Sequence, residues 1–316
     1  MIFPLGNFPK ALYDTIKNGE ERTGRFTMKI QLLGTAGGDF PRVNDLEDNF
    51  GYLPRVRALG GKNLRCAAQA VIFPDILIDY HNGRQLDAFD VGRESIKHLL
   101  ITHKHWDHFK PLEILAFAAS LPHQLQVYGS HGVIEALKFA DTYDFDRSTG
   151  RFTVREARAA IGYHVLEIGR TYEIGDTSVV PVHGNHSLDK SENMIMEDLC
   201  LNYVFERSGR VIFYGLDSSY PFPLTVDFLR RYRVDVAVLD ATFGQWPIDV
   251  VRSGHHNLEM LMETIEEFRA AGIFHDGTTI LTSHISLAMV KPYDDLKDEV
   301  SSMGLTLAYD GLTIEA

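Results

Sequence analysis

The densest concentration of reactive side chains is the run Thr102-His103-Lys104-His105-Trp106-Asp107-His108, which places four candidate metal ligands within six residues. Imidazole nitrogen and carboxylate oxygen are donors that zinc, manganese and iron all accept. The run closes the apolar stretch 96–102 (IKHLLIT), which predicts a short buried strand. At a strand end and in the turn after it, His103 and His105 can point one way while Asp107 and His108 point another, so one loop can serve two neighbouring cations. A merely solvated polar loop accounts for the run less well, because burying Trp106 there would order the histidines to no purpose.

Other strands are predicted at 26–33, at 67–73 and 76–79 with a turn at Pro74-Asp75, and at 125–128, 172–174 and 178–182. The same patterns recur at 199–205, 211–214, 234–239, 279–282 and 305–308. Helical spacing appears at 9–21, 111–119, 132–141, 223–232, 258–271 and 290–303, while 142–158 is polar and reads as a surface excursion. Antiparallel-looking strands accompanied by helices in each half predict two sheets packed face to face with helices outside. The first strand ends in Gly34-Thr35-Ala36-Gly37-Gly38, a turn that could bring backbone close to a ligand but lacks the lysine and spacing of a phosphate-binding P-loop.

The chain has 316 residues, 45% of them hydrophobic, which is ample for a large core without disulfide staples. With no linker, internal repeat or low-complexity tract, we expect a single domain over 1–316, residues 1–27 forming an N-terminal helical extension. Cys66 and Cys200 show no CxxC spacing, which argues for a reducing, cytoplasmic setting. No signal peptide is expected at the N-terminus, and no apolar window is long enough for a membrane span. With 31 basic and 43 acidic side chains the formal charge is -12, which disfavours long nucleic acid and leaves room for bound cations.

His-x-His-x-Asp-His after a strand and a threonine is the signature of the metallo-β-lactamase superfamily, and the chain resembles that superfamily motif after motif. The resemblance implies an α/β protein, an αββα four-layer sandwich of two mixed sheets with helices on the outer faces. It also implies that Asp79 supports a ligand histidine. Val180-Pro181-Val182-His183-Gly184-Asn185-His186-Ser187 supplies a ligand at His186, with His183 as the rival, and Asp217 and His284 follow at strand ends. By this resemblance one metal takes His103, His105 and His186, the other Asp107, His108 and His284, and Asp217 is shared. Two divalent ions, zinc or manganese with iron as a third option, would then lower the pKa of a shared water and so supply a hydroxide, the nucleophile.

Within the superfamily the chain is similar to the cyclic-phosphate phosphodiesterases of phosphonate catabolism and to the tRNA 3′-end nucleases. The likeness runs from about residue 29 onward and includes Asp240-Ala241-Thr242-Phe243 and Gly254-His255-His256-Asn257. It implies a phosphodiesterase for a small or cyclic phosphodiester, with Asp107 at the reacting centre and His255 or His256 as general acid or phosphate contact. A helix N-terminal role beside the capping Asn257 competes for the latter pair. Leu239 stands where the tRNA nucleases carry histidine, no basic arm for tRNA is present, and the cysteine-bound structural zinc of some cyclic phosphodiesterases has no ligands here. A lactone or thioester hydrolase of the same fold is the main alternative, and a metal-dependent binding module that has lost catalysis is another. His81 reads as a turn residue near the pocket. His98, His123, His131, His164 and His275 read as structural, and the acidic run 189–198 as a loop that caps the site or meets a second subunit of a homodimer.

Overall fold

The computed structural model describes residues 27–38, 51–154, 161–186, 200–247 and 254–316. The expected helix at 9–21, the extension at 1–27 except for residue 27, and the acidic run 189–198 lie outside the described residues. In chain order the first strands and helices are β1 (Lys29–Gly34), α1 (Tyr52–Leu59), β2 (Gln69–Ile72), β3 (Ile76–Ile78), α2 (Arg84–Ala88) and β4 (His98–Leu100). Then come α3 (Pro111–Ser120), β5 (Leu125–Gly129), α4 (His131–Thr142), β6 (Tyr143–Asp146), β7 (Arg151–Val154) and β8 (Ile161–Val165). The second half contains β9 (Tyr172–Ile174), β10 (Thr177–His183), β11 (Leu201–Arg207), β12 (Arg210–Gly215), α5 (Pro223–Leu229) and β13 (Val234–Asp240). It closes with α6 (Leu258–Ala270), β14 (Phe274–Ser283), α7 (Tyr293–Ser302), β15 (Thr306–Leu307) and β16 (Thr313–Glu315).

These elements build two seven-stranded mixed sheets, ordered β16-β1-β2-β3-β4-β5-β8 and β15-β14-β13-β12-β11-β10-β9. Between them lies an apolar layer that includes Ile72, Ile76, Phe205, Tyr214 and Val238. A second apolar layer joins the first sheet to α3 and α4 through residues such as Leu99, Val127, Ile114 and Ile134. A third joins the other sheet to α6 and α7 through Phe213, Leu239, Ile265, Phe268 and Leu296. Three apolar layers separating four layers of structure make the αββα sandwich that the motif resemblance implies.

Strand direction is what gathers the chemistry. Strands β3, β4, β5 and β8 are parallel, as are β12, β13, β14 and β15. Strand β10 is antiparallel to β11 and β11 to β12, so β10 runs with β12. The carboxyl ends of β3, β4, β10, β12, β13 and β14 therefore open towards one edge of the sandwich, the usual location of ligand sites in sheets of this kind. The two sheets are also bonded to each other there. Leu201 N donates to Thr102 O at 2.9 Å, and the fully buried Tyr203 hydroxyl donates to Ile101 O at 2.7 Å.

Several regions depart from the sequence expectation. The excursion at 142–158 includes the hairpin β6–β7, and the strand β8 after it was not expected. Helices α1 and α2 and strand β16 also went unforeseen. The hairpin carries exposed Phe145, Phe152 and Val154, so apolar alternation there marks no buried face. The antiparallel-looking pattern turns out to be mixed, because buried parallel strands show no alternation that would separate them from short buried antiparallel ones.

Tyr203→Phe removes one donor and leaves the Ile101 carbonyl buried without it. We expect a loss of about 1–2 kcal/mol, read as a lower denaturant midpoint at unchanged slope; an unchanged midpoint would show that this cross-sheet bond does not hold the two layers together.

Candidate metal centre

Every predicted ligand sits just past a strand end. His103 to His108 follow β4, His186 follows β10, Asp217 follows β12 and His284 follows β14. Three side chains at this edge stand on backbone with positive φ, namely Asp79 (58°), Asp217 (49°) and His284 (61°). Left-handed backbone at a non-glycine residue costs of order 1 kcal/mol or more and persists only where the surroundings enforce it. Here it turns the chain sharply at the strand end and aims the side chain into the gap between the sheets.

Two sets of donor atoms result. His103, His105, His186 and Asp217 bring one donor atom each within 4.8 Å of one another, and Asp107, His108 and His284 do the same. Asp217 joins the two. Its Oδ1 lies 3.9 Å from His103 Nε2 and 3.8 Å from His186 Nε2, while its Oδ2 lies 3.0 Å from His108 Nε2 and 3.2 Å from His284 Nε2. His108 Nε2 is 3.1 Å from His284 Nε2 and 3.2 Å from Asp107 Oδ2. Imidazole nitrogens at hydrogen-bond distance from each other, aimed at shared carboxylates, form the donor arrangement of a cation site.

The test of fit lies in the buried atoms. His103 Nε2 is buried without a hydrogen-bond partner, a state that costs free energy unless something else occupies the direction it faces. Burial alone would push the Asp217 carboxyl up, but His108, His284 and His103 outweigh it and hold it well below the ordinary carboxylate range. Asp107 likewise stays ionised against burial because of His108 and His284. Burial drives His103 far below its usual value and His186 down to about 4, so both keep free lone pairs. Burial also opposes a charge on His108 and His284, yet the surrounding carboxylates prevail, raising His108 well above its usual value and His284 to about 9. A pocket whose field is negative enough to protonate buried imidazoles favours cations, and a divalent ion would displace those protons.

A second ring of contacts fixes which nitrogen faces inward. Asp79 Oδ2 is 2.7 Å from His108 Nδ1, and Asp79 is itself held by the Thr102 backbone N–H and hydroxyl. His103 Nδ1 lies 3.0 Å from Thr102 Oγ1, His186 Nδ1 lies 2.9 Å from the Gly254 carbonyl and His284 Nδ1 lies 2.8 Å from Thr242 Oγ1. Thr102 and Thr242 entered the sequence reading only as members of motifs, and their hydrogen bonds to ligand rings were not foreseen, because the partners are fixed by tertiary structure.

The rival assignments separate cleanly. His183 packs its ring on Phe222 at 4.5 Å and is in none of the donor groups found among the described residues, whereas His186 enters the cluster. His255 lies over the site, its ring 4.6 Å from His186 and 5.4 Å from His284, and its Nδ1 is 2.8 Å from Asp240 Oδ2. His256 does not belong with it: it is buried, its Nε2 bonds the Thr264 hydroxyl at 2.9 Å, and its backbone N–H donates to Asp240. Successive residues before a helix point to different sides, so the pair cannot share one role. Asn257 caps α6 by accepting from Met260 N–H at 2.9 Å. Asp240 and His255 also form a donor group with Asp217 and His284, but they satisfy each other and the Thr242 hydroxyl, which makes them a hydrogen-bonded dyad. His81 is buried beside Trp106, with Lys110 Nζ 3.2 Å from its Nε2; burial and then Lys110 lower it to about 4.

The family model described as "Beta-lactamase superfamily domain" matches residues 75–275. A search of curated proteins found no match. Among solved structures, a diphosphatase of the PhnP family is similar at 18% identity, covering 92% of this chain and 98% of that one with a TM-score of 0.65. Zn(2+)-bound PqqB from Methylobacterium extorquens is similar at 17%, covering 92% and 100% with a TM-score of 0.66. Human tRNase Z, short form, is similar at 16%, covering 91% and 98% with a TM-score of 0.58. These likenesses show the fold. The family match spans well over half of the sequence, and the chain belongs to the metallo-β-lactamase superfamily.

Proposed function

We propose that the protein is a two-metal phosphodiesterase acting on a small or cyclic phosphodiester. The observation that carries this reading is the division of the Asp217 carboxylate, one oxygen toward each set of imidazoles. His103, His105 and His186 would hold one divalent ion and Asp107, His108 and His284 the other, with Asp217 common to both. Bound there, the ions supply an ionised water at neutral pH and neutralise charge on a phosphoryl oxygen. Zinc and manganese both suit this mixture of nitrogen and oxygen donors, and iron is chemically compatible. The two cysteines are free thiols, in keeping with a reducing cytoplasm.

The residues around that centre have separable tasks. Asp79, Thr102, Thr242 and the Gly254 carbonyl lock the ligand rings in one orientation, so little reorganisation accompanies the reaction. His255, held at Nδ1 by Asp240, presents Nε2 over the donor cluster. Protonated, it can deliver that proton to a departing alkoxide, the step in which phosphodiesters with poor leaving groups need help. Similarity to a PhnP-family diphosphatase and to tRNase Z supports phosphoryl chemistry. The net charge of -12 favours a small substrate over a polyanion.

After loading with Mn²⁺ or Zn²⁺, the protein is expected to hydrolyse bis(p-nitrophenyl) phosphate and a cyclic phosphate. Turnover of a lactone or thioester alone would replace this reading with that of an esterase, and silence on all four substrates would favour a binding module. Asp217→Ala should lose both ions, as read by metal analysis, whereas a fully loaded variant would exclude a bridging role. His255→Ala should keep its metals and lose about 10²- to 10⁴-fold in turnover, most severely for alkyl leaving groups. His256→Ala should lower stability without that leaving-group dependence. Equal losses across leaving groups in His255→Ala would reduce it to a binding contact.

A further inference from the structure

We infer that a buried clamp formed by Arg65, Thr35 and Asp310 positions the glycine turn after β1 against one of the two metal sets, that of Asp107, His108 and His284. The inference rests on the two-metal reading above. The Thr35 hydroxyl donates to Asp310 Oδ1 at 2.7 Å and accepts from Arg65 Nη1 at 2.7 Å. Arg65 Nη1 also bonds the Ala308 carbonyl at 2.7 Å, and the Cys66 backbone N–H donates to Asp310 Oδ2. Arg65 is only 4% exposed. Burial lowers its guanidinium to about 10 and raises the Asp310 carboxyl to about 6.

Such a buried charged group is seldom a net source of stability, since desolvation consumes most of the Coulombic gain, and it is better explained by a geometry it enforces. The geometry enforced here is visible in the backbone. Thr35 and Ala36 N–H donate to Cys66 O at 3.0 and 2.9 Å, Ile285 N–H donates to Thr35 O at 2.9 Å, and Gly37 N–H donates to Ile285 O at 3.0 Å. The turn is thereby bonded to the residue that follows His284. A Cβ added at Gly37 would lie 3.3 Å from the His284 ring, and one at Gly38 would lie 3.3 Å from Asp107 Oδ2. A side chain at either position would crowd these two ligands, because the main chain itself approaches them closely. The nearest neighbours of Gly37 and Gly38 are thus His284 and Asp107, so the clamp acts on the set that contains them.

The test compares wild type, Thr35→Val, Thr35→Ser and Asp310→Asn, each loaded with Zn²⁺ and dialysed against chelators of graded strength. Zinc per chain and the unfolding midpoint are measured together. Wild type and Thr35→Ser should retain two equivalents. Thr35→Val and Asp310→Asn should hold one as wild type does and the second about tenfold or more weakly, the scale of loss seen when the partners of ligand residues are removed. Equal weakening of both equivalents, or none despite a lowered midpoint, would make the clamp a stabilising feature only and overturn the inference. Wild type that never holds two equivalents would sink the two-metal reading and the clamp with it, whereas a normal wild type beside unaltered variants would sink the clamp alone.

Discussion

Carboxylates buried away from water need positive charge near them, and the interior of this molecule concentrates four of them, Asp79, Asp107, Asp217 and Asp240, at one edge. Among the described residues, the charged partners that chiefly set their ionisation are imidazoles, not lysine or arginine. A carboxylate–imidazole lattice of this kind is adjustable, because each histidine can carry a proton or surrender it to a cation. Neutral partners would leave the charges uncompensated, and fixed cations would fill the space an incoming metal needs. The lattice therefore constrains the architecture around it. Six strand ends must converge, and the two sheets must be bonded to each other beneath the cluster, as they are through Thr102, Leu201, Ile101 and Tyr203.

Strain and packing share the work of convergence. A strand end sends its side chain above or below the sheet, and neither direction alone reaches a point between two sheets. The positive φ values at Asp79, Asp217 and His284 supply the missing turn. They are tolerated because Asp79 is pinned by Thr102, and His284 by Thr242 on one side and the Gly37 turn on the other. The apolar layers that flank each sheet make these anchors rigid. Ligand orientation is thus set by the folded core, which is the condition for selective and tight binding.

How far the sequence discloses this depends on the length scale of each feature. The loop from His103 to His108 is readable because four donors in six residues form a local signal after a local strand. Asp217 and His284 are not local in that sense; only motif resemblance connects them to it, across more than a hundred residues. Whether His183 or His186 belongs with them depends on where β10 stops, and a difference of one or two residues there reverses the direction of a side chain. The same applies to His255 and His256, neighbours whose fates are decided by the Asn257 cap that starts α6. The clamp of Arg65 and Asp310 was invisible for another reason: a charged residue in a polar-looking stretch gives no sign of burial, and its partner lies 245 positions away by number, near the end of the chain.

Asp240 shows why these features are coupled. Its Oδ2 faces His255 and the Thr242 hydroxyl, and that hydroxyl also contacts His284 Nδ1. With His284 Nε2 turned toward Asp107 and Asp217, its Nδ1 carries the proton and donates to Thr242, which leaves the threonine hydroxyl free to donate to Asp240. One carboxylate thereby receives both a hydrogen bond from the proposed proton donor and, through a single hydroxyl, the influence of a proposed metal ligand. Charge withdrawn from His284 by a bound cation would strengthen its bond to Thr242, and the polarised hydroxyl would in turn bond Asp240 more tightly. The ligand set and the histidine above it are in this way linked through three side chains, His284, Thr242 and Asp240, supplied by two adjacent strand ends.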